Sequence, residues 1–529
     1  MRKPFPHNVS SGTGKGRQTV IALLAGAVFV GSALAGNMTF PADASGNTVK
    51  VVARSGFDDS QITAGDPFAD GDIVYAPLST PGDPNSVSLR GNVVTVRDGN
   101  IVSSPDGATH VVGGGDWGLT GTAEVLGNTL NVAGGMHGKT GIVILFGGMS
   151  RGIGPVVGNT VTVTGGDVSG MVYGGYSPRG IAGRNRVTAI STTISGIIYG
   201  SATAKGNADD SMVNVTDSNI RGTVYGSRSW IGNASGNRVT MTGGGINGTV
   251  FGGYAPRGNA DNNTVHVADT RINGGISSGQ SSRGSASRNM ITAINATIGE
   301  GGFISGGTSS EGSTNDNVVT VKGGAVNETV FGGYSTGGNA NGNTVTVTDG
   351  AVNGTLFGGN SPRGSANGNV LSLKNAAVGT TITGGWGATS AMGNVVTLSG
   401  QTLFTSKTDV LGGAGGGTVS GNALTLDRFR QTGEGGVKDV HGFDKLSFIG
   451  ITAGQRAPVL TATGTVDLAG SRTTLRFDGE PANVRLIDAP KFIMTGATID
   501  DVIYGENRYR FHWDTTGSAV LSGTSPINQ

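Results

Sequence analysis

The chain has 529 residues, of which 98 are glycine, and carries a formal net charge of +1 with 13% charged side chains. The glycines do not recur at every third position, so the composition excludes a collagen triple helix. A charge balance so close to zero provides no general attraction for nucleic acid, and we expect no nucleic-acid partner. The sequence contains no cysteine, which suits an exported protein that folds without disulfide bonds.

Residues 1–35 have the features of an export signal. Four basic side chains precede an apolar core at residues 20–30, and Ala33-Leu34-Ala35 has the small-x-small pattern of a cleavage site. The apolar core is shorter than the roughly 20 residues of a membrane-spanning helix. We therefore expect cleavage rather than a retained anchor, a mature protein that begins near Gly36, and no transmembrane segment in it.

Residues 36–123 are predicted to form an irregular N-terminal region of the solenoid described below. Residues 47–51 and 92–96 match its strand pattern, but long segments containing prolines separate them. We expect strands in this region without a constant spacing.

From residue 124 to residue 435 the chain repeats one motif, seen best at residues 159–184. Its lead residue is asparagine, which returns at a nearly constant step of about 26 residues. Such a step indicates a stack of similar units. The lead positions are Asn159, Asn185, Asn237, Asn263, Asn289, Asn317, Asn343, Asn369, Asn394 and Asn422, with Ser211 in one slot.

Each unit begins with a pattern of period two. Apolar side chains stand two and four positions after the lead residue, as at Val161 and Val163, and Thr162 shows the polar position between them. This alternation predicts a half-buried strand. A glycine pair, a short strand of the form V-x-G-x-V-[YF], a second glycine pair and a polar loop complete the unit. With no helical pattern between the strands, the sequence predicts an all-β parallel solenoid whose coils of about 26 residues bury a continuous core by stacking.

The lead asparagines and the glycines are interpreted as structural columns. Each asparagine would lie above its copies at a corner, where side-chain amides hydrogen-bond from coil to coil in a ladder. The glycines supply positive φ and close backbone approach.

After residue 435 the register changes and the strands become richer in aliphatic and aromatic residues. They are predicted at residues 443–448, 459–468, 473–477, 484–487 and 509–513. Because an open solenoid end needs a cover against edge-to-edge pairing, we predict a β-rich cap at residues 436–529.

The repeat resembles the passenger regions of Gram-negative autotransporters. The motif is N-x-V-T-V-x-G-G-x-V-x-G-x-V-[YF]-G-G-[YS]-S-x-x-G-x-A. The tail contains G-F-D-K-L-S-F, P-V-L-T-A-T-G-T-V-D-L and V-R-L-I-D-A, similar to the segment that those proteins carry before their translocator. The resemblance covers roughly residues 125–525. It implies a right-handed parallel β-helix, export through the outer membrane and an adhesive or surface role.

The sequence departs from the family at its end, where the alternating strands of about 10 residues that form a translocator barrel are missing. We expect this barrel to be absent or encoded elsewhere. The predicted function is that of an exported adhesive or structural protein, at the cell surface, in the outer membrane or extracellular. Its expected partners are host-surface or bacterial glycans. A truncated passenger without independent activity is one alternative.

A secreted polysaccharide lyase or hydrolase is the alternative from another class, since β-helices also carry such enzymes. Adjacent carboxylates occur at residues 58–59, 209–210 and 500–501, but neighbours on a strand point to opposite faces. Glycoside hydrolysis needs two carboxyl groups about 5–10 Å apart. The positions expected to neighbour Asp209 on other coils hold no carboxylate cluster, so we expect no catalytic site.

No cofactor and no metal ion are expected. The six histidines include no closely spaced ligand pair. Residues 133–140 approximate a phosphate-binding loop, but a strand pattern follows them where a helix is required. The acidic position of calcium-binding G-G-x-G-x-D repeats does not recur.

A basic column is the first candidate ligand-binding feature. Like charges one coil apart repel unless solvent or an anion screens them, so this column indicates acidic glycans or lipopolysaccharide. The alternative is a solvated loop that tolerates arginine, and Glu311 and Gly337 interrupt the column. Its members are Arg151, Arg179, Lys205, Arg257, Arg283 and Arg363.

An aromatic column is the second candidate. Each ring follows an apolar residue by one position in the strand and therefore faces away from the core. One hypothesis is an exposed ladder that stacks on sugar rings; the other is a column that packs under a loop. Its members are Phe146, Tyr173, Tyr199, Tyr225, Phe251, Phe331 and Phe357.

Overall fold

The computed structural model describes residues 141–404, 408–433 and 436–527 continuously. Before residue 141 it describes residues 89–91, 93–97, 108–116, 122 and 124–137, and further upstream only the backbone of short strands. The basic start of the predicted export signal and most of its cleavage site lie outside the described residues.

The chain divides into two compact units, residues 1–240 and residues 241–529. Each unit is a stack of coils whose strands run parallel to their copies in the next coil. We name three strands of a coil: the lead strand after the lead asparagine, the two-residue corner strand, and the ladder strand that carries the aromatic column. In the first unit Thr160–Thr164 pairs in parallel with Arg186–Ile190, one coil of 26 residues later, so that Val161 lies opposite Val187.

The strands of the first unit have the following bounds. The lead strands are Val93–Arg97, Thr129–Ala133, Thr160–Thr164, Arg186–Ile190 and Met212–Thr216, and Arg238–Thr242 begins in this unit. The corner strands are Met136–His137, Asp167–Val168, Thr193–Ile194 and Asn219–Ile220. The ladder strands are Ala108–Val112, Ile142–Ser150, Gly170–Ser177, Ile198–Thr203 and Val224–Ser229. Short parallel strands are Leu78–Ser79, Gly115–Asp116, Leu89–Arg90, Val125–Leu126, Val156–Val157 and Ala182–Gly183. The upstream strands are Gln18–Leu24, Ala27–Ala33, Met38–Phe40, Lys50–Ala53 and Gln61–Ala64.

The second unit has the same kinds of strand, and from Val395–Phe404 onward the corner position is part of the lead strand or has no separate strand. Its lead strands are Thr264–Ala268, Met290–Ile294, Val318–Lys322, Thr344–Thr348, Val370–Lys374, Val395–Phe404, Ala423–Thr432, Lys445–Ile451 and Arg472–Phe477. Its corner strands are Gly245–Ile246, Arg271–Ile272, Thr297–Ile298, Ala325–Val326, Ala351–Val352 and Ala377–Val378. Its ladder strands are Val250–Ala255, Ile276–Ser281, Ile304–Ser309, Val330–Ser335, Leu356–Ser361, Thr381–Gly387, Thr408–Ala414, Val437–His441, Thr465–Asp467 and Lys491–Ile493. The remaining strands are Ser390–Met392, Thr418–Ser420, Leu460–Thr461, Val484–Arg485, Ile487–Asp488, Thr498–Ile499, Val502–Tyr504, Asn507–Trp513 and Ser518–Pro526.

Rows of aliphatic side chains fill the interior of the coils. In one coil of the second unit Val345, Val347, Val352 and Leu356 are all fully buried. Burial of each such side chain contributes about 1.5–3 kcal/mol, and the same positions repeat in the neighbouring coils. Within the described residues every regular element is a strand. No helix in this part of the chain is long and apolar enough to cross a membrane. The prediction of an all-β parallel solenoid with coils of about 26 residues is confirmed.

The lead asparagines form hydrogen-bonded ladders inside each unit. In the second unit the Oδ1 of Asn343 accepts the backbone N–H of Asn317 at 3.0 Å and its side-chain Nδ2–H at 2.9 Å. Asn343 donates in the same two ways to Oδ1 of Asn369, at 2.9 and 3.1 Å. Each amide oxygen therefore satisfies two buried donors of the coil before it. The same pattern links Asn263, Asn289, Asn317, Asn343, Asn369, Asn394 and Asn422.

The second glycine pair of the motif makes room for this ladder. A Cβ on Gly333 would lie 2.8 Å from both Oδ1 and Nδ2 of Asn343. In the first unit, where Ser211 replaces the asparagine, Ser201 stands at the glycine position, and the two hydroxyl oxygens are 2.6 Å apart. Ser201 also accepts the side-chain N–H of Asn185 at 2.8 Å, so the pair of serines maintains a polar connection where the amide is missing.

Parallel stacking continues into the region predicted as the cap. Lys445–Ile451 pairs in parallel with Arg472–Phe477, which pairs in turn with Thr498–Ile499. An antiparallel sheet follows, formed by Val484–Arg485, Val502–Tyr504, Asn507–Trp513 and Ser518–Pro526. Its Phe511 stacks on Phe477 with ring centroids 5.7 Å apart. The antiparallel sheet therefore occupies only part of the region after residue 435.

Candidate ligand-binding site

The aromatic column of the first unit is a stack of parallel rings. The ring centroids of Tyr173 and Tyr199 lie 4.7 Å apart and those of Tyr199 and Tyr225 4.9 Å apart, with interplanar angles of 8° and 5°. Phe146 stacks on Tyr173 from the preceding coil at 5.0 Å. These distances match the spacing of about 4.8 Å between hydrogen-bonded strands, because in-register pairing places each ring one strand above the last.

This stacking determines what the column can offer a ligand. The faces of the inner rings are covered by their neighbours, and Tyr199 is only 5% exposed. The phenol of Tyr173 donates to Sδ of Met171 at 3.3 Å. Burial, with Tyr199 next to it, raises the pKa of Tyr173 well above the ordinary value, so its hydroxyl stays neutral. The inner rings therefore stabilise the coils by stacking on one another, and their faces are not accessible to sugars.

A second column lies beside the rings. Strand pairing places Met149, Tyr176, Ala202 and Arg228 at the same position of four successive coils. Ala202, between Tyr176 and Arg228, is buried and only 7% exposed. A cleft of about 300 Å³ at this place is lined by Tyr173, Tyr176, Tyr199, Ala202, Thr203, Ala204, Arg228 and Trp230. We call it the aromatic cleft.

Arg228 is the single charged side chain among the residues that line the aromatic cleft. Its guanidinium carbon lies 6.0 Å from the ring centroid of Tyr225 and 5.5 Å from that of Trp230, and Nη1 lies 3.5 Å from the hydroxyl of Tyr199. Cation–π contacts of this kind orient a guanidinium. Trp230 is 46% exposed, so the cleft combines a fixed positive charge with an accessible aromatic surface.

The basic column is not continuous in the first unit. Gly180 lies against Gly154, Gly206 against Gly180 and Gly232 against Gly206. The residues just before these glycines therefore stack as Ile153, Arg179, Lys205 and Ile231, and Arg151 lies outside that row. All four members of the row are exposed. In this row Arg179 and Lys205 are neighbours, and an isoleucine follows on either side of the pair.

The second unit also breaks both predicted columns. Its glycines place Arg257, Arg283, Glu311, Gly337 and Arg363 in one row, so a carboxylate follows two exposed arginines. Phe251 contacts Tyr254 at 5.5 Å, but Ser277 and Ser305 occupy the next two ladder positions. Stacking resumes at Phe331 and Phe357, whose centroids lie 5.3 Å apart.

Other candidate sites contain ion pairs or a carboxylate that accepts a backbone hydrogen bond. A cavity of about 680 Å³ in the second unit is lined by Arg428, which forms ion pairs with Asp427 and Asp478 at 3.2 and 3.3 Å. Asp209 accepts the backbone N–H of Ser235 at 2.8 Å, and burial raises its pKa. Asp210 faces Arg184 at 3.9 Å. Residues 58–59 lie outside the described residues. Over the described part of the chain no group of three or more His, Asp or Glu side chains could hold a metal ion.

The sequence contained a signal for the aromatic cleft that the motif analysis missed. The residue directly after the second position of the glycine pair is Tyr176, Tyr254 or Tyr334 in three coils, but Ala202 and Arg228 in two adjacent ones. This change from a large to a small to a charged residue distinguishes the coils that line the cleft. Trp230, two residues after Arg228, completes the cleft and has no aromatic counterpart in the motif.

Comparison with known proteins gives no assignment: no family model matches the chain, and no curated protein matches it either.

Proposed function

We propose that the chain is an exported, autotransporter-passenger-like surface solenoid that acts as an adhesin for glycans. The repeat motif and the C-terminal segment support the relationship, and the parallel solenoid is the fold that this relationship implies. The aromatic cleft carries the adhesive part of the proposal. It offers exposed aromatic surface beside a fixed cation, which is a common way to hold a sugar ring. The buried rows and ladders provide a rigid support for it.

Replacement of Tyr176 by alanine should weaken glycan binding about 10-fold, which corresponds to the roughly 1–1.5 kcal/mol of one aromatic contact. The matched control is Tyr334→Ala in the second unit. Tyr334 has the same column position and packs on Phe331 at 5.2 Å, but it lines no described cleft. A glycan array followed by calorimetry with the purified chain measures both variants. Equal losses in the two, or no glycan binding by the unmodified chain, would contradict the adhesive proposal.

Export is tested separately. The full chain, expressed in a Gram-negative host with its own N-terminus, should yield a product whose mass begins near Gly36 and which is accessible to protease added to intact cells. A product that keeps residues 1–35 and stays protected inside the cell would refute this part of the proposal. Release of new reducing ends or unsaturated products from acidic polysaccharides would favour the enzyme alternative.

A further inference from the structure

We propose that one edge of the first unit docks on an anionic lipid bilayer, with apolar side chains inserted among the headgroups and neighbouring cations at the lipid phosphates. The proposal goes beyond glycan adhesion and does not depend on it. The edge consists of the loops that follow the ladder strands of four successive coils, residues 150–155, 177–182, 203–208 and 229–234. We call it the apolar loop edge.

Close packing between glycines aligns these four loops. Gly180 lies against Gly154, Gly206 against Gly180 and Gly232 against Gly206. Hydroxyl groups fix the loops as well: Thr203 accepts the N–H of Gly206 at 3.1 Å and donates to the carbonyl of Gly180 at 2.9 Å. Three steps between in-register coils span about 14 Å along the stack by the usual strand spacing. The loops are therefore held close together at a fixed spacing.

Four large apolar side chains of these loops are exposed. The exposed fraction is 58% for Ile153, 49% for Ile181, 46% for Trp230 and 44% for Ile231. Ile153 and Ile231 belong to the row of stacked loop residues described above, and the other two lie one or two positions along the chain from that row. Single exposed apolar residues are common on soluble proteins, but a group of them on one edge indicates an interaction surface.

The charge of the edge favours an anionic partner. Its four segments contain three cations and no Asp or Glu. Arg179 and Lys205 are exposed and lie between the apolar positions of the row. Two acidic residues follow the third segment: Asp209 accepts a backbone N–H of the next coil at 2.8 Å, and Asp210 faces Arg184 at 3.9 Å. The edge itself is therefore basic.

This combination of side chains fits a bilayer better than a soluble polyanion. A tryptophan ring is stable at the level of the headgroups, and isoleucine side chains reach the acyl chains. Lysine and arginine extend their charged groups to the phosphates while their methylene groups lie along the apolar surface. A soluble acidic polysaccharide would contact the cations and leave the isoleucines in water.

The second unit shows that the repeat does not require apolar residues in these loops. Its corresponding segments, residues 255–260, 281–286, 309–314, 335–340 and 361–366, contain no large apolar side chain. The position equivalent to Ile181 holds Asn259, Ser285, Ser313, Asn339 and Ser365. The exposed isoleucines and tryptophan are thus a property of the first unit and not of the fold.

Co-sedimentation of the purified full chain with lipid vesicles tests the proposal. Binding to vesicles of equal parts phosphatidylglycerol and phosphatidylcholine should be about 10-fold tighter than to phosphatidylcholine alone. Ile181→Asn, which introduces the polar residue of neighbouring coils, should weaken binding to the anionic vesicles about 5- to 10-fold. Lys205→Gln should weaken it about 5-fold and leave binding to the neutral vesicles unchanged.

The matched control is Ile190→Thr. Ile190 is 36% exposed on a lead strand of the same unit, where the adjacent coils hold Thr164 and Thr216. Ile190→Thr should change vesicle binding less than 2-fold, because this side chain lies outside the apolar loop edge. The apolar segment at residues 20–30 is present in every variant, so the differences between variants decide. Circular dichroism and the unfolding temperature report whether each variant keeps the fold.

Insertion can be measured directly because the chain contains no cysteine. An environment-sensitive dye attached to Ile153→Cys should shift its emission to shorter wavelength when anionic vesicles are added. The same dye on Ile190→Cys should show no shift. An unchanged emission at residue 153 would overturn the proposal, and so would an equal shift at the two positions.

Three other results would also overturn it: no binding of the unmodified chain to anionic vesicles, equal effects of Ile181→Asn and Ile190→Thr, or binding of a soluble acidic polysaccharide through Lys205 without binding to vesicles. Neither Ile181 nor Lys205 lines the aromatic cleft. Glycan binding that persists in Ile181→Asn and Lys205→Gln would therefore leave the adhesive function standing when the vesicle experiment fails.

Discussion

Replacement of Asn343 by alanine is expected to destabilise the second unit by about 3–5 kcal/mol. The side chain is fully buried, and its Oδ1 accepts two N–H groups of Asn317. Its Nδ2–H is donated to Asn369. Alanine leaves both donors of Asn317 without an acceptor inside the protein, and each unsatisfied buried group costs about 1–3 kcal/mol. Water cannot reach them without opening the coil, so the loss is not recovered by solvation.

The measurement should resolve local opening, because a chain of stacked coils need not unfold in one step. Hydrogen exchange followed by mass spectrometry reports on the amide of Asn317, whose N–H is donated to the missing oxygen. We expect faster exchange there and a lower denaturation midpoint. Asn353→Ala is the control: its Nδ2 donates to Asn327 at 2.9 Å in a similar ladder, but on the exposed surface. Asn353→Ala should lower the free energy of unfolding by less than about 1 kcal/mol. Equal effects of Asn343→Ala and Asn353→Ala would show that burial is not what makes the inner ladder strong.

The sequence was enough to predict the coil. A constant step, apolar residues of period two and a recurrent asparagine each follow directly from stacking, because every coil must satisfy its neighbours at the same positions. Val161 and Val163 are fully buried, and Thr162 between them is half-buried. The same regularity explains Ser211: its partner Ser201 replaces a glycine ten residues earlier, and the pair can be understood only when the two positions are known to face each other.

The columns on the surface were harder to predict, for two physical reasons. The first is the spacing of coils: rings one coil apart at about 4.8 Å must stack face to face, so an aromatic column covers its own binding surface. The second is the variable loop length. Met149 pairs with Tyr176 and Gly154 lies against Gly180, so the segment from Met149 to Gly154 is longer than its copy in the next coil. This difference moves Arg151 out of the row of Arg179, and sequence spacing alone does not show where such a shift occurs.

The aromatic cleft follows from a departure from regularity rather than from the repeat. The column of Tyr176 holds Tyr254, Tyr334 and Trp386 in other coils, and smaller residues such as Thr308 and Asn360 in others. Ala202 and Arg228 are two successive members of that column, and with Trp230 they line the cleft. In a protein built from nearly identical coils, the coils that deviate are where a ligand can be bound, since a ligand needs a shape that the repeat does not have.

Replacement of Gly359 by alanine should destabilise the second unit by about 2–4 kcal/mol, although it adds only one methyl group. The Cβ would lie 2.7 Å from both Oδ1 and Nδ2 of Asn369 and closer still to the backbone carbonyl of Ala340. Because the ladder amide is held by its neighbours and the carbonyl belongs to the backbone, neither can move without breaking hydrogen bonds. Overpacking of this kind costs about 1–3 kcal/mol or more in a tightly packed interior.

Two other glycines separate this effect from the general cost of glycine replacement. Gly368 has open space around its Cβ position but a φ of +63°, so Gly368→Ala should cost only about 1 kcal/mol of backbone strain. Gly523 has open space and no such constraint, and Gly523→Ala should be neutral or stabilising by about 0.4–1 kcal/mol, since alanine lowers the entropy of the unfolded chain. The denaturation midpoint should be lowest for Gly359→Ala, intermediate for Gly368→Ala and highest for Gly523→Ala. If Gly359→Ala were as mild as Gly368→Ala, the second glycine pair would serve only the backbone turn, and the close approach between backbone and asparagine would not be what holds the coils in register.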